Sequence, residues 1–394
     1  MNHLGILSAI LFALTEAFSL GAYVTDSPPE MGTLEYVRTD SANINFDAPK
    51  FRVLDIGNSY TQNSTDYLLN LMENLELDCS DISLYRAIFS GGSFKNWVDV
   101  YNGAEPDHEY YIQWVLGDAK CDSIRNNATY TGPDGLRKLL NDYDWNLIII
   151  HQASRYAVNY DCWKSHSEGG YLEELIEIIR ECQPEVPLGT HIIHSYGSNS
   201  NYNSEKMSSL ERWSYIASSA KRVQEDYGIE LIIPYGTAIE LLRTTSLNDS
   251  NDLLADGTHL SPGLAQYAAA CCYYEAVFAP RFRKSMVGNT FHPEGTPSVT
   301  DDNAIIAQQF ARQAYEQPFK IREDEEDPIN HVRIAIVNDE LLISNLTPGD
   351  DLNLYSPTGQ HIRQQTAQES SCIFPLPKGI SILRVNSASF KIIN

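Results

Sequence analysis

The strongest constraint on this chain is an alternation that runs from residue 51 to about residue 280. Short apolar runs alternate with stretches of helical periodicity. Residues 52–56 (RVLDI) end in Gly57, and 66–75 then place Tyr67, Leu68, Leu71 and Leu75 on one helical stripe. Residues 82–89 are strand-like and end in Ser90-Gly91-Gly92. Residues 145–151 (WNLIIIH) are almost continuously apolar, as a central parallel strand covered on both faces requires. Residues 171–182 are helical, 187–194 strand-like, 205–227 helical and 230–234 a fifth strand, and 263–278 form a helix rich in Ala and aromatic side chains. Five strands separated by helices predict an α/β domain over 51–320, a three-layer αβα sandwich on a five-stranded parallel sheet. Right-handed crossovers leave few threadings, and the loops after the strands gather at one edge, where such sheets bind ligands. Residues 79–145 make an unusually long connection and predict a lid or cleft wall.

The flanks differ. Residues 4–14 (LGILSAILFAL), followed by Ala17, Gly21 and Ala22, are too short an apolar run to span a bilayer and fit a signal peptide over 1–22. A polar leader with Pro28, Pro29 and Pro49 follows over 23–50. The expectation is an exported protein: periplasmic, cell-surface or secreted. No other stretch is apolar enough for a membrane helix. At 322–327 the acidic run REDEED precedes Pro328 and marks a linker over 321–329. Beyond it the period becomes two, with strands expected at 331–337, 340–345, 351–355, 372–376 and 380–385 and a turn at 357–359. That is a small all-β module over 330–394, about 65 residues and near the lower limit for an independent core. The 394-residue chain carries 28 Lys and Arg against 52 Asp and Glu, a net charge of −24, and has no basic stripe for nucleic acid. Its seven Cys form no C-x-x-C framework and no zinc spacing. Two sequons, at 127–129 and 345–347, matter only in a eukaryotic secretory route.

Four short segments carry polar chemistry directly after strands or before a helix. In Gly57-Asn58-Ser59-Tyr60 the glycine and asparagine suit a tight turn, and Ser59 opens the next helix with its N–H available to an oxyanion. An ordinary N-cap serine fits the same pattern. Gly91-Gly92 lets the backbone approach a substrate closely. His151-Gln152-Ala153-Ser154 places a side-chain amide where a developing negative charge would sit. Asp256-Gly257-Thr258-His259 has the spacing with which a carboxylate fixes one tautomer of an imidazole while its other nitrogen faces a serine.

As an ordered set these segments resemble the SGNH (GDSL-like) hydrolases. They are most similar to a branch described as a domain of unknown function (DUF4886-like), common in gut Bacteroidetes. Gly57–Ser59, Gly91-Gly92, residues 150–154, 234–239 and 256–263 carry the likeness, which spans roughly 51–280. The resemblance implies a flavodoxin-like 2-1-3-4-5 sheet, with Ser59 as nucleophile, His259 as general base and Asp256 as its orienting partner. It implies an oxyanion hole from Ser59, Gly91 or Gly92, and a side chain in the third segment, for which Gln152 is the nearest group. Two departures stand out: Asn58 replaces the usual Asp, and the third-segment Asn is absent. Substrate contacts are expected from Asn58, Tyr60, His151, Ser154, Arg155 and His194. The C-terminal module, through 351–359 (DLNLYSPTG), 376–379 (LPKG) and 389–394 (SFKIIN), resembles type IX secretion sorting domains, without their usual Pro-Asn-Pro opening. It would then engage export machinery; a carbohydrate-binding role is the alternative.

The expected activity is a serine esterase that removes acyl groups, O-acetyl in the first instance, from a glycan, with no cofactor and no metal. A lipase or thioesterase on the same scaffold and an inactive glycan-binding scaffold are the alternatives. His191-x-x-His194 is set aside as a metal pair, because strand residues three apart face opposite sides.

Overall fold

The computed structural model describes residues 43–104, 110–116, 125–126, 130, 134–166, 169–197, 200–204, 206–248 and 253–321, and most of 333–393. The expected signal peptide, residues 23–42 of the leader, residues 322–329 of the linker, the sequon at 127–129, Asn345 and Thr347 of the second, and the turn at 357–359 lie outside the described residues. Described residues up to 315 form one compact unit, and those from 316 onward a second.

In the first unit β1 (Phe51–Gly57) runs into α1 (Ser59–Thr65) and α2 (Leu68–Asn74), and β2 (Ile82–Phe89) into α3 (Phe94–Tyr101). Then come β3 (Tyr110–Leu116), β4 (Arg125–Asn126), α4 (Gly135–Asp142), β5 (Leu147–Ile150), α5 (Asp161–Lys164) and α6 (Leu172–Cys182). The remaining elements are β6 (Leu188–His191), α7 (Ser209–Tyr227), β7 (Leu231–Ile233), α8 (Tyr235–Arg243), α9 (Leu264–Val277), α10 (Ala279–Phe282) and α11 (Asp301–Glu316). The sheet has seven strands in the order β4-β3-β2-β1-β5-β6-β7. Its five parallel strands, β2-β1-β5-β6-β7, follow the expected 2-1-3-4-5 order. β3 and β4 add an antiparallel edge beyond β2. The long 79–145 connection therefore widens the sheet, where the sequence alone suggested a lid.

Burial on both faces explains why the parallel strands read as apolar runs: every residue of β5 (LIII) and of β2 (ISLYRAIF) is buried. Arg86 in β2 tolerates this because its guanidinium meets Asp66 Oδ1, Thr65 Oγ1 and Gln113 Oε1, each at 2.7 Å. One helical layer groups α1, α2, α8 and α9; the other groups α3, α4, α5 and α6. All fourteen residues of α9 are buried, and its alanines allow close packing against α1 and α8. Truncating a core leucine such as Leu71 to Ala costs about 2–5 kcal/mol. Helix α7 starts at a Ser208/Glu211 capping box and ends at Gly228 in the left-handed region, φ 63°.

The second unit is a small sandwich. β8 (Arg333–Val337), β9 (Glu340–Ser344) and β12 (Ser371–Pro375) form one antiparallel sheet. β10 (Asp351–Tyr355), β11 (His361–Thr366), β13 (Ile380–Val385) and β14 (Ala388–Ile393) form the other. Leu341, Ile343 and Phe374 from the first meet Leu352, Leu354, Leu383 and Val385 from the second in one core. Among the described residues no helix is long and apolar enough to cross a membrane.

Candidate active site

The switch point lies where β1 pairs with β2 on one side and β5 on the other. β1 ends at Gly57, where an added Cβ would fall 2.0 Å from His151 Nε2 and 2.4 Å from Thr61 Oγ1, so only glycine fits. Asn58 is the N-cap of α1: its side-chain oxygen accepts from Tyr60 N at 3.0 Å. Its Nδ2 donates to the Gly92 carbonyl at 3.1 Å, tying the loop after β1 to the loop after β2. Ser59 is the first residue of α1, where no intrahelical acceptor exists for its N–H.

The partner loop lies between α8 and α9. A bridge between Leu254 and Leu260 closes it, with Ala255 N donating to His259 O and Ser261 N to Leu253 O. Within it Asp256 Oδ1 accepts from Thr258 N, Thr258 Oγ1 and His259 N at 2.8, 2.7 and 2.7 Å. Asp256 Oδ2 lies 2.7 Å from His259 Nδ1. Partial burial pushes the Asp256 carboxyl up, but these hydrogen bonds outweigh it and hold the group well below the ordinary carboxylate range. An ionised carboxylate only accepts, so His259 carries its proton on Nδ1 and turns the Nε2 lone pair outward. That lone pair meets Ser59 Oγ at 2.9 Å, 200 positions away in sequence. The structure thus joins Ser59, His259 and Asp256 in one hydrogen-bonded line.

The remaining expected site residues divide by exposure. Gln152 is 1 % exposed and its amide is fully engaged. Its Oε1 accepts from Ala153 N at 2.8 Å and Phe94 N at 3.3 Å; its Nε2 donates to Cys162 O and Gly169 O at 3.2 and 3.4 Å. It staples three loops together and has no N–H left for an oxyanion, contrary to the sequence-based expectation. Gly92 N is also taken, by Phe89 O at 2.9 Å, and Ser93 N by Asn96 Oδ1. Gly91, at φ 62° on the open side of the loop, has an N–H without an acceptor among the described residues. The substrate contacts expected from Asn58, Tyr60, His151 and His194 also give way to another role: all four are buried and hydrogen-bonded inward. Tyr60 and His194 both donate to the Thr258 carbonyl, at 2.7 and 2.6 Å. Ser154 is half-buried, with its hydroxyl 2.8 Å from Tyr196 OH. Arg155 is exposed, lies over the Tyr156 ring and reaches the Gly91 carbonyl at 3.4 Å, so these two border the open side.

Sequence reasoning missed a second Asp-His cluster directly beneath α1. His191 Nε2 donates to Asp55 Oδ2 at 2.9 Å with both side chains at 0 % exposure. The Thr61 hydroxyl donates to Asp55 Oδ1 at 3.1 Å and accepts from His151 Nε2 at 2.7 Å. Burial opposes ionisation of Asp55, but the two imidazoles and the Thr61 hydroxyl hold its carboxyl below the ordinary value. Burial, then His191, pulls His151 down to about 3. The donor atoms of Asp55, His151 and His191 lie within 4.8 Å of one another, a set that zinc or iron accepts. Here the Thr61 hydroxyl already bridges two of them, and among the described residues His191 Nδ1 has no outer partner of the kind that orients a metal-bound imidazole. The cluster is arranged as a hydrogen-bonded seat for α1. The available signal was an aspartate inside the apolar strand RVLDIG, a residue that burial tolerates only when paired.

A family model described as a domain of unknown function, DUF4886, matches residues 52–314. A DUF4886 protein of known structure from Bacteroides uniformis is 28 % identical and superposes with a TM-score of 0.58, covering 70 % of this chain and 99 % of that one. A protein provisionally described as an SGNH hydrolase from Slackia heliotrinireducens is 16 % identical, with a TM-score of 0.34 over 54 % of this chain and 91 % of that one. One provisionally described as a GDSL-like lipase from Parabacteroides merdae is 10 % identical, with a TM-score of 0.33 over 68 % and 96 %. No curated protein matches the sequence.

Proposed function

The chain belongs to the DUF4886 family, and on that premise we propose that it is a serine esterase of the SGNH type. The observation that carries this reading is the Ser59–His259–Asp256 line at 2.9 and 2.7 Å. Ser59 Oγ attacks an ester carbonyl while His259 Nε2 takes its proton, and Asp256 stabilises the imidazolium. The N–H groups of Ser59 and Gly91 receive the negative charge on the carbonyl oxygen. His259 then protonates the departing alkoxide, and water, deprotonated by the same imidazole, releases the acyl group from Ser59.

The substrate we propose is an O-acetylated glycan. The apolar N-terminal run supports export to where such polymers are met, and Arg155 with Ser154 and Tyr156 gives the open side a polar and aromatic rim suited to sugars. Type IX export through the C-terminal unit is part of the same proposal and rests on sequence likeness alone. Hydrolysis of p-nitrophenyl acetate and acetate release from acetylated xylan test the reading together. Turnover by wild type and none by Ser59→Ala supports it. A preference for long acyl chains would redirect it to a lipase, and wild-type-like turnover by folded Ser59→Ala would remove Ser59 from the chemistry.

A further inference from the structure

We infer that Tyr60 and His194 are positioning residues, a two-ring clamp on the Thr258 carbonyl that sets where the base stands relative to the nucleophile. The inference rests on the esterase reading above. Tyr60 directly follows Ser59, and Thr258 directly precedes His259. A 2.7 Å hydrogen bond from Tyr60 OH to Thr258 O therefore links the immediate neighbours of the two reacting groups. His194 Nε2 donates to the same carbonyl at 2.6 Å from the loop after β6. The two rings stack at 4.3 Å with 21° between their planes, and both are buried.

One peptide group is thus held at both ends. Tyr60 and His194 hold its carbonyl, while Asp256 Oδ1 accepts from its N–H at 2.7 Å. That fixes the peptide plane before His259, and with it the direction in which the imidazole leaves the backbone. Four described donors act on Asp256, but they fix the base only relative to its own loop. Apart from the Ser59–His259 contact itself, the Tyr60 arm of the clamp and the 2.9 Å bond from Leu260 N to Asn63 Oδ1 are, among the described residues, the polar ties between this loop and α1. The clamp acts on the peptide that precedes the base, and the Asn63 bond on the peptide that follows it. Proton transfer needs donor and acceptor within about 3.2 Å, and a misplacement of about 1 Å costs on the order of 10²-fold in rate. Two donors on one carbonyl oxygen restrain it more tightly than either would alone.

The test compares Tyr60→Phe, His194→Leu and His194→Gln with wild type, by steady-state kinetics on p-nitrophenyl acetate and by the rate at which a fluorophosphonate labels Ser59. The clamp predicts kcat down about tenfold in Tyr60→Phe and in His194→Leu, KM within about twofold, and labelling slowed in parallel. His194→Gln, whose amide nitrogen can stand where Nε2 stood, restores most of the rate. Thermal unfolding of each variant separates misplacement from lost stability. Should Tyr60→Phe or His194→Leu fail to fold, His194→Gln against wild type still decides, because the clamp requires near-wild-type kcat there. Unchanged kcat and labelling in folded Tyr60→Phe, or a loss in His194→Gln equal to that in His194→Leu, would overturn the clamp while leaving the esterase intact. A wild type that neither turns over nor labels at Ser59 would remove the esterase reading and the clamp with it.

Discussion

Two Asp-His pairs meet α1, one at Ser59 and one at Thr61, and they use the same side chains for different ends. In one, Asp256 and His259 are 53 % and 41 % exposed and the free ring nitrogen faces a serine hydroxyl. In the other, Asp55 and His191 are wholly buried, and the free ring nitrogen faces no polar partner among the described residues. The contact distances hardly differ, 2.7 against 2.9 Å. What differs is access. A base must reach a proton and a substrate, whereas a buried pair reaches only its neighbours, here Thr61 and His151 in and beneath α1. Pair geometry alone therefore does not identify a catalytic dyad; the environment of the second nitrogen does.

The largest expected contrast comes from removing one member of each pair. His259→Ala should lower kcat by 10³-fold or more, on the order seen when a general base is lost, and leave the unfolding temperature within a few degrees. Asp55→Ala should do the reverse. Stranding the buried His191 and Thr61 groups costs about 3–5 kcal/mol, visible as a fall of roughly 10 °C in Tm, with kcat per folded molecule within about threefold. Activity assays paired with thermal unfolding read both. If Asp55→Ala removed activity without loss of stability, the division between the two pairs would fail.

Which parts of this were legible in the sequence follows from how local the signals are. β1, β2 and β5 announce themselves because burial on both faces leaves little room for polar residues. Asp256 and His259 are legible because they interact three residues apart. Asp55, His151 and His191 become neighbours only through the lateral register of three strands, which no local spacing encodes. Gln152 is misleading for a similar reason: its partners, Phe94, Cys162 and Gly169, come from separate loops that only the fold assembles. β11 (HIRQQT) shows no apolar alternation because nearly all of it is exposed. α11 buries mainly alanines, a stripe too faint to distinguish from composition.

Acid should act on the stability of the fold through its buried histidines. Burial holds His151 and His194 near about 3, against about 6.5 in the unfolded chain. As pH falls below 6.5 the unfolded state takes up protons that the folded state refuses, so stability falls with pH across the window from 6.5 to about 3. Asp55, depressed in the fold, adds a loss only below about 4, when its carboxylate is protonated. By pH 4 each histidine contributes a loss of up to about 3 kcal/mol. Unfolding temperatures from pH 7 to 4 should decline, and His194→Gln should flatten the slope. A Tm independent of pH across that range would show that these imidazoles are hydrated in solution.

The finest test of the comparison is Thr61→Val. The substitution keeps shape and removes the hydroxyl that bridges Asp55 Oδ1 and His151 Nε2, two residues beyond Ser59. A seat for α1 that loses this bridge should cost about 1–3 kcal/mol, because two buried polar groups lose a partner at once. The start of α1, with Ser59, remains held by the N-cap at Asn58, so kcat should change less than threefold. The sharper reading lies in the pH profile of kcat/KM. If the lower cluster only supports the helix, the profile keeps its midpoint while Tm drops by a few degrees. A midpoint displaced by half a unit or more would mean that the buried imidazoles feel the reaction through Thr61, and the two Asp-His pairs would then have to be treated as one electrostatic system.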